Sequence, residues 1–345
     1  MLKTIYVKGY KSIKELEVEC SRLNLFIGTN SSGKSSLLQA ILLVVQNLER
    51  LYGLNGPLVS SGEFRETRNY ALKNDTIEIK LFGDGEQVAL NICEDGKNYL
   101  VPCEGGKLTQ TLINRSVHYL SCSRIGSQDV YNKNLSVYDM FGKNGEYAID
   151  FLSKHKDEPL EKELISYHES YTLSAQVNRW LEYIIGARIQ TEEIIGTDVV
   201  KASYNMVENF YARPKNVGSG VSYLISILIV CLGSHKGDMI IIENPEIHLH
   251  PLSQSRICEF LYFISKSGRQ VFVETHSDHL FDAIRVGISQ RTMEKEHIAI
   301  NFFRLGSDGC TRKHVIDIGK NGRIENPMPN LFDQFEVDLN KMLGL

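Results

Sequence analysis

Along the chain the period of apolar and polar positions changes several times. Residues 5–7 and 16–19 read as short strands separated by a turn, and residues 23–27 are a compact apolar strand ending at Gly28. After a Gly/Ser-rich loop, Leu37, Leu38, Ile41, Leu42 and Val45 recur at helical spacing within a predicted helix over residues 35–50. Residues 76–82 and 88–93 alternate again, joined through Gly83-Asp84-Gly85, and 119–122 is another short strand. Beyond residue 136 the character shifts. Residues 147–154, 160–168 and 172–185 predict helices, the last carrying the sole tryptophan, Trp180. Past Arg213-Pro214 come a Gly/Ser turn and a long apolar helix over 221–232. Residues 239–242 are a buried strand, 253–266 a helix and 270–274 a second buried strand. From residue 298 the pattern predicts strand, turn and a short final helix.

Strands alternating with helices predict an α/β core carrying a helical insertion. The expected organisation is an N-terminal lobe over 1–135, the insertion over 136–210 and a C-terminal lobe over 211–345. Composition narrows the function classes. With 42% hydrophobic and 23% charged residues, the chain is neither disordered, collagen-like nor a coiled coil. Its net charge of −4 argues against a whole-chain electrostatic grip on nucleic acid and leaves a local basic patch open. The longest apolar run, near residues 37–45, is too short to span a membrane. The N-terminus lacks the apolar segment of a signal peptide. The seven cysteines form no C-x-x-C pair, so a reduced cytoplasmic setting is expected, with no membrane association.

Three segments carry chemistry. Gly28-Thr29-Asn30-Ser31-Ser32-Gly33-Lys34-Ser35 matches G-x-x-x-x-G-K-[ST] between a strand and a helix, and Ser36 extends it. Average residue usage would produce this pattern by chance on the order of 0.02 times in such a chain. Its backbone N–H groups would cradle phosphates, Lys34 would reach the β- and γ-phosphates, and Ser35 would hold Mg²⁺. Residues 239–246, Met-Ile-Ile-Ile-Glu-Asn-Pro-Glu, form a buried strand that delivers Glu243 as the metal-side carboxylate. Residues 271–277, Val-Phe-Val-Glu-Thr-His-Ser, repeat that design beside it and bring His276 toward the γ-phosphate. A fourth segment, 216–222, opens a helix through Gly218-Ser219-Gly220 and is either an anion-holding turn or a flexible loop.

The order of P-loop, Gly/Ser helix opening, E-x-P-E-x-H-L-H-P strand end and T-H-S strand end resembles the ABC/SMC-type AAA ATPases, and within them the RecF-like and OLD-like bacterial group. Tyr10-Lys11-Ser12-Ile13, residues 119–126, 142–147 and 322–335 fit the same group. The resemblance implies a two-lobed, split-sheet ABC-type head that binds ATP and Mg²⁺ and hydrolyses ATP. Gly218, Ser219 and Gly220 would complete the nucleotide site of a second subunit, in a homodimer or higher even-numbered oligomer, and residues 10–12 would border the adenine. Many OLD-like ATPases without a nuclease of their own have a separate effector, so the resemblance implies a nuclease or toxin partner, in anti-phage defence. A RecF-like repair ATPase binding DNA, and an ATP-binding scaffold with little turnover, are the alternatives.

Two departures matter. The resemblance expects glutamate directly after Glu243, where this chain has Asn244, so either Glu246 positions water or hydrolysis is slow. Gln128, after the strand at 119–122, is the expected Q-loop glutamine on the metal side. Guanine selection is not expected, because Asn132-Lys133-Asn134 lacks the acid for it. Arg124 reads as a phosphate or subunit contact, or equally as a surface salt bridge. His248 and His250 read as loop or dimer contacts rather than metal ligands. Trp180, Tyr183 and Ile184 read as a docking surface or as the core of the insertion.

Overall fold

A computed structural model describes residues 1–101, 107–112, 116–137, 140–207 and 210–344. The chain opens with a hairpin, β1 (Thr4–Tyr10) and β2 (Ile13–Glu19), turned at Lys11, whose φ is +49°. Strand β3 (Leu23–Gly28) then runs into the P-loop and helix α1 (Lys34–Asn47). A short turn of helix, α2 (Phe64–Thr67), precedes the alternating strands β4 (Thr76–Gly83), β5 (Glu86–Cys93) and β6 (Tyr99–Val101). Helix α3 (Lys107–Leu112), strand β7 (Val117–Leu120) and strand β8 (Tyr131–Asn132) lead to the insertion.

The insertion holds α4 (Ala148–His155) and α5 (Leu173–Ile185), followed by β9 (Arg188–Glu193), β10 (Val199–Val207) and β11 (Phe210–Ala212). It is therefore mixed rather than purely helical: β10 pairs with β8, β9 and β11 in a small antiparallel sheet. The helix expected over 160–168 is also absent, reduced to a single 3₁₀ turn at Lys162–Leu164. The buried amide of Gln176 on α5 explains this. Its Oε1 accepts from the Ser166 and Tyr167 N–H groups, and its Nε2 donates to the Tyr167 and Ser170 carbonyls. Backbone groups satisfied in this way have no need of a helical ladder.

The C-terminal third alternates α6 (Ser219–Gly233), β12 (Met239–Glu243), α7 (Pro251–Lys266), β13 (Gln270–Glu274) and α8 (Asp278–Ser289). Strands β14 (Ile298–Leu305) and β15 (Thr311–Val315) and helix α9 (Gln334–Leu343) complete it. Two sheets face each other across α1. One is antiparallel, in the order β2-β1-β4-β5-β6; the other runs β15-β14-β3-β13-β12-β7, parallel except for β15. This is the α/β core that the sequence pattern predicted, in the two-lobed, split-sheet form that the resemblance implied.

Period-two alternation divides the core. Phe26, Ile241, Phe272 and Phe303 point to α1 and the antiparallel sheet, whereas Leu25, Ile27, Ile240, Ile242, Val271 and Val273 point to α6, α7 and α8. Each such side chain, fully buried, contributes roughly 1.5–3 kcal/mol. α1 and α6 are apolar nearly all round because each is covered on more than one side. The parallel order places the C-terminal ends of β3, β13 and β12 side by side, and the candidate chemistry lies at these ends.

Candidate functional site

The P-loop conformation follows from three backbone positions. Gly28 has φ +140°, and a Cβ there would lie 2.0 Å from the Phe303 carbonyl oxygen, so β3 can pack on β14 only with glycine at this point. Ser31 and Gly33 are also left-handed, and Gly33 caps α1. The loop so formed lines an open cleft of about 520 Å³ with Asn30, Ser31, Ser32, Gly33, Lys34, Ser35 and Ser36. Lys11, Ser12, Asn244, Glu274 and His276 complete its wall. Lys34 folds back, donating from Nζ to the carbonyls of Gly28 (3.1 Å) and Thr29 (2.8 Å). Burial lowers its pKa, opposed by Glu274 and Glu246. The Ser12 and Thr311 hydroxyls meet at 2.8 Å, and Thr311 donates to the Ser32 carbonyl, tying β15 to the loop.

Three carboxylates gather at the strand ends. Glu243 and Glu274 are register partners on β12 and β13. Glu243 is held away from the loop, accepting from the Tyr119 hydroxyl and the Cys122 N–H, both at 3.0 Å. Glu274 takes the inner place: the Ser35 hydroxyl donates to its Oε1 at 2.7 Å. Burial pushes the Glu274 carboxyl up to about 7, opposed by the Ser35 hydrogen bond and reinforced by Glu243. Glu246 accepts the His276 N–H at 2.8 Å, and burial raises its pKa against that bond and the nearby Arg124. The His276 imidazole faces the cleft, its pKa lowered by burial and then by Lys34.

The carboxylate beside Ser35 is thus Glu274, which the sequence reading passed over for His276. Its signal was present, since residues 271–274 run apolar into glutamate just as 239–243 do. Asn244 has φ +45°, a backbone state that asparagine tolerates better than glutamate. Ser32 Oγ, Asn244 Oδ1 and Glu274 Oε2 are buried without a hydrogen-bond partner among the described residues. Orphaned polar atoms around a cationic loop fit a polar, metal-bearing ligand.

The remaining expected residues lie elsewhere. Gly218 and Ser219 are exposed at the start of α6 and do not line the cleft. Gly220 is buried, and a Cβ there would lie 2.5 Å from the His248 carbonyl oxygen. Gln128 is also outside the cleft: its N–H donates to the Tyr131 hydroxyl, in a loop whose Ser127 meets Ser222 of α6. Arg124 is no surface salt bridge but a buried side chain bonded to backbone carbonyls. His248 faces the Tyr223 ring, and His250 caps α7 through Nδ1. Trp180 is half-buried against Phe260 and Phe263 of α7, so it packs α5 onto the C-terminal third and belongs neither to a core confined to the insertion nor to a free surface. Among the described residues no helix is long and apolar enough to cross a membrane.

A family model described as an AAA ATPase domain matches residues 1–185 and 152–281. No curated protein sequence matches the chain. Among solved structures, an SMC head bound to the C-winged helix domain of ScpA is 14% identical, with a TM-score of 0.57, over 92% of this chain and 98% of that one. The SMC head domain from Thermotoga maritima is 15% identical, with a TM-score of 0.51, over 92% and 99%. An SMC head with an extended coiled coil, bound to the C-terminal domain of ScpA and derived from Pyrococcus furiosus, is 12% identical, with a TM-score of 0.56, over 99% of both. At these identities the likeness is one of fold, that of the ABC-type P-loop ATPase head.

Proposed function

The chain belongs to the AAA ATPase domain family, and from that premise we propose that it is an ATP-binding, slowly ATP-hydrolysing switch that closes as a dimer around nucleotide and controls a separate effector. One observation carries the reading: Lys34, Ser35, Asn244, Glu274 and His276 line one cleft, with Glu246 just behind on the His276 N–H, while Gly218 and Ser219 face solvent outside it. The cleft is half of a composite site, and a second copy supplying its α6 opening completes it in a closed, symmetric pair.

Within the cleft, Lys34 exchanges the Gly28 and Thr29 carbonyls for phosphate oxygens, and the P-loop N–H groups hold the remainder. Ser35 and Glu274 are placed to hold Mg²⁺, with Glu243 behind them as the outer carboxylate. Mg²⁺, when bound, supplies neutralisation of charge on the β- and γ-phosphate oxygens. Glu246, raised in pKa by burial, is the carboxylate that accepts a proton from the attacking water. Asn244 cannot serve as that base, so the step falls to Glu246 from one turn further on, and slow turnover is expected.

Hydrolysis then alternates two states, and only a partner that binds them differently reads the change. SMC heads of this fold have been solved with bound ScpA domains, which supports a protein partner here. The resemblance to OLD-like ATPases favours a nuclease or toxin as that partner, in a cytoplasmic anti-phage system. The test is mass measurement of the purified chain with Mg²⁺ and a slowly hydrolysed ATP analogue, with and without the product of a neighbouring gene. An even-numbered, nucleotide-dependent assembly that captures the neighbour is expected. A strict monomer at saturating nucleotide overturns the reading.

A further inference from the structure

Arg124 lies on the loop between β7 and β8 and is only 3% exposed. Its Nη1 donates to the carbonyls of Ser121 (3.0 Å) and Glu243 (2.5 Å), and its Nη2 to the carbonyl of Asn244 (2.7 Å). One planar fork therefore grips the last residue of β12 and the first residue of the turn that follows. Among the described residues it forms no ion pair, and its Nε has no partner. Burial pulls its pKa down to about 10, with Glu246 foremost among the charges opposing that. A cation this buried is costly unless its donors are matched, and here backbone carbonyls match them. What the guanidinium secures is geometry: the left-handed Asn244 and, two residues on, the carboxylate of Glu246 on the His276 N–H.

The same loop reaches α6. A Cβ on Gly126 would lie 3.2 Å from the Tyr223 hydroxyl, and the Ser127 and Ser222 hydroxyls meet at 2.9 Å. The turn after β12 arrives at the same place, with the His248 ring 5.0 Å from that of Tyr223 and Gly220 against the His248 carbonyl. Loop, turn and helix form a closed packed circuit from the carboxylates of the cleft to the exposed opening of α6.

We infer that Arg124 is a positioning residue that locks the turn after β12 and ties it to the first turns of α6, so that the hydrolytic side of one cleft and the surface offered to a second copy move together. A contiguous packed network of this kind is the physical basis for coupling two sites. The part of the test that uses turnover rests on the function proposed above; the part that uses amide exchange does not.

The experiment compares the full chain with Arg124→Lys, which keeps the charge and loses the fork, Arg124→Gln, and Ser127→Ala, which cuts only the tie to α6. Amide hydrogen exchange is measured without nucleotide. Both Arg124 variants should exchange faster over 244–250 and 219–226, with the P-loop and α1 unchanged, and Ser127→Ala should show the rise only over 219–226. In steady-state ATP turnover, Arg124→Lys should lose about 10- to 100-fold in kcat, as misplacement of reacting groups by about 1 Å does, with KM little changed. Wild-type exchange and kcat in Arg124→Lys overturn the inference, as does faster exchange spread evenly over the chain. A wild-type chain that neither binds nor hydrolyses ATP removes the proposed function, while the exchange pattern still decides the role of Arg124.

Discussion

Helices α1 and α6 both open on glycine and serine and are both buried along almost their whole length, yet their N-termini do different things. At α1 the chain passes through left-handed Ser31 and Gly33, places a lysine at the first helical position and meets a carboxylate at Ser35. At α6 the capping Gly218 has an ordinary φ of −58°, no heavy atom lies within 4 Å of its added Cβ, and no side chain caps the helix. The nearby Lys215 is spent on Asp129. Both ends offer backbone N–H groups and a positive dipole. Only the first has strand ends that bring carboxylates to it, Glu274 directly on Ser35. In the function proposed here the motif at α1 supplies half of a site, and the one at α6 acts on the site of a second copy.

The sharpest test of this difference is chemical. Glu246→Gln should lower turnover by about 10²–10⁴, the range of a general base, while Asn244→Ala leaves most activity. Steady-state ATPase assays check this, and the reverse pattern removes Glu246 from its role. Next in size, Lys34→Ala should weaken binding of a fluorescent ATP analogue to the single chain by about 10- to 100-fold, from lost charge-assisted bonds. Ser219→Trp should leave that binding within a few-fold and abolish nucleotide-dependent dimers in mass measurements. Equal loss of single-chain binding in both variants would erase the contrast between the two helix openings.

Two smaller effects refine it. Glu274 is held near 7 against an ordinary 4.5, so the folded chain binds its proton more tightly than the unfolded chain does. That contribution to stability is present in full below about 4.5 and is lost as pH rises through about 7. With chelator present, Glu274→Gln should flatten the fall in melting temperature between about pH 5 and about pH 8, whereas Ser219→Trp should follow the wild-type profile. Gly220→Ala should cost about 1–3 kcal/mol in denaturant unfolding, because its Cβ meets the His248 carbonyl at 2.5 Å. Gly218→Ala, in open space, should change stability by less than that.

The parts of this protein legible in its sequence are those set by neighbours along the chain. Residues 23–36 announce strand, phosphate loop and helix because local backbone requirements choose glycine, lysine and serine at fixed spacing. The runs at 239–243 and 270–274 announce buried strands because both faces are covered. The strands β9 to β11 went unseen behind the helical pattern of 147–185, and the helix read at 160–168 was displaced by one buried amide, Gln176, from another element. The carboxylate nearest Ser35 was equally beyond local pattern, because two adjacent strands end in glutamate. β13 lies directly beside β3, whereas β12 is one strand further out and its Glu243 is drawn off by Tyr119 and Cys122 of β7 and its loop. Arg124 belongs to the same class, a charged residue two of whose three carbonyl partners lie 119 and 120 positions away in sequence. Strands, loop and helix could be read from the sequence because backbone geometry and burial period act over a few residues. Which carboxylate faces the serine, and what the buried arginine grips, was decided only when the parallel sheet set its strand order, because those contacts exist only between segments that folding brings together.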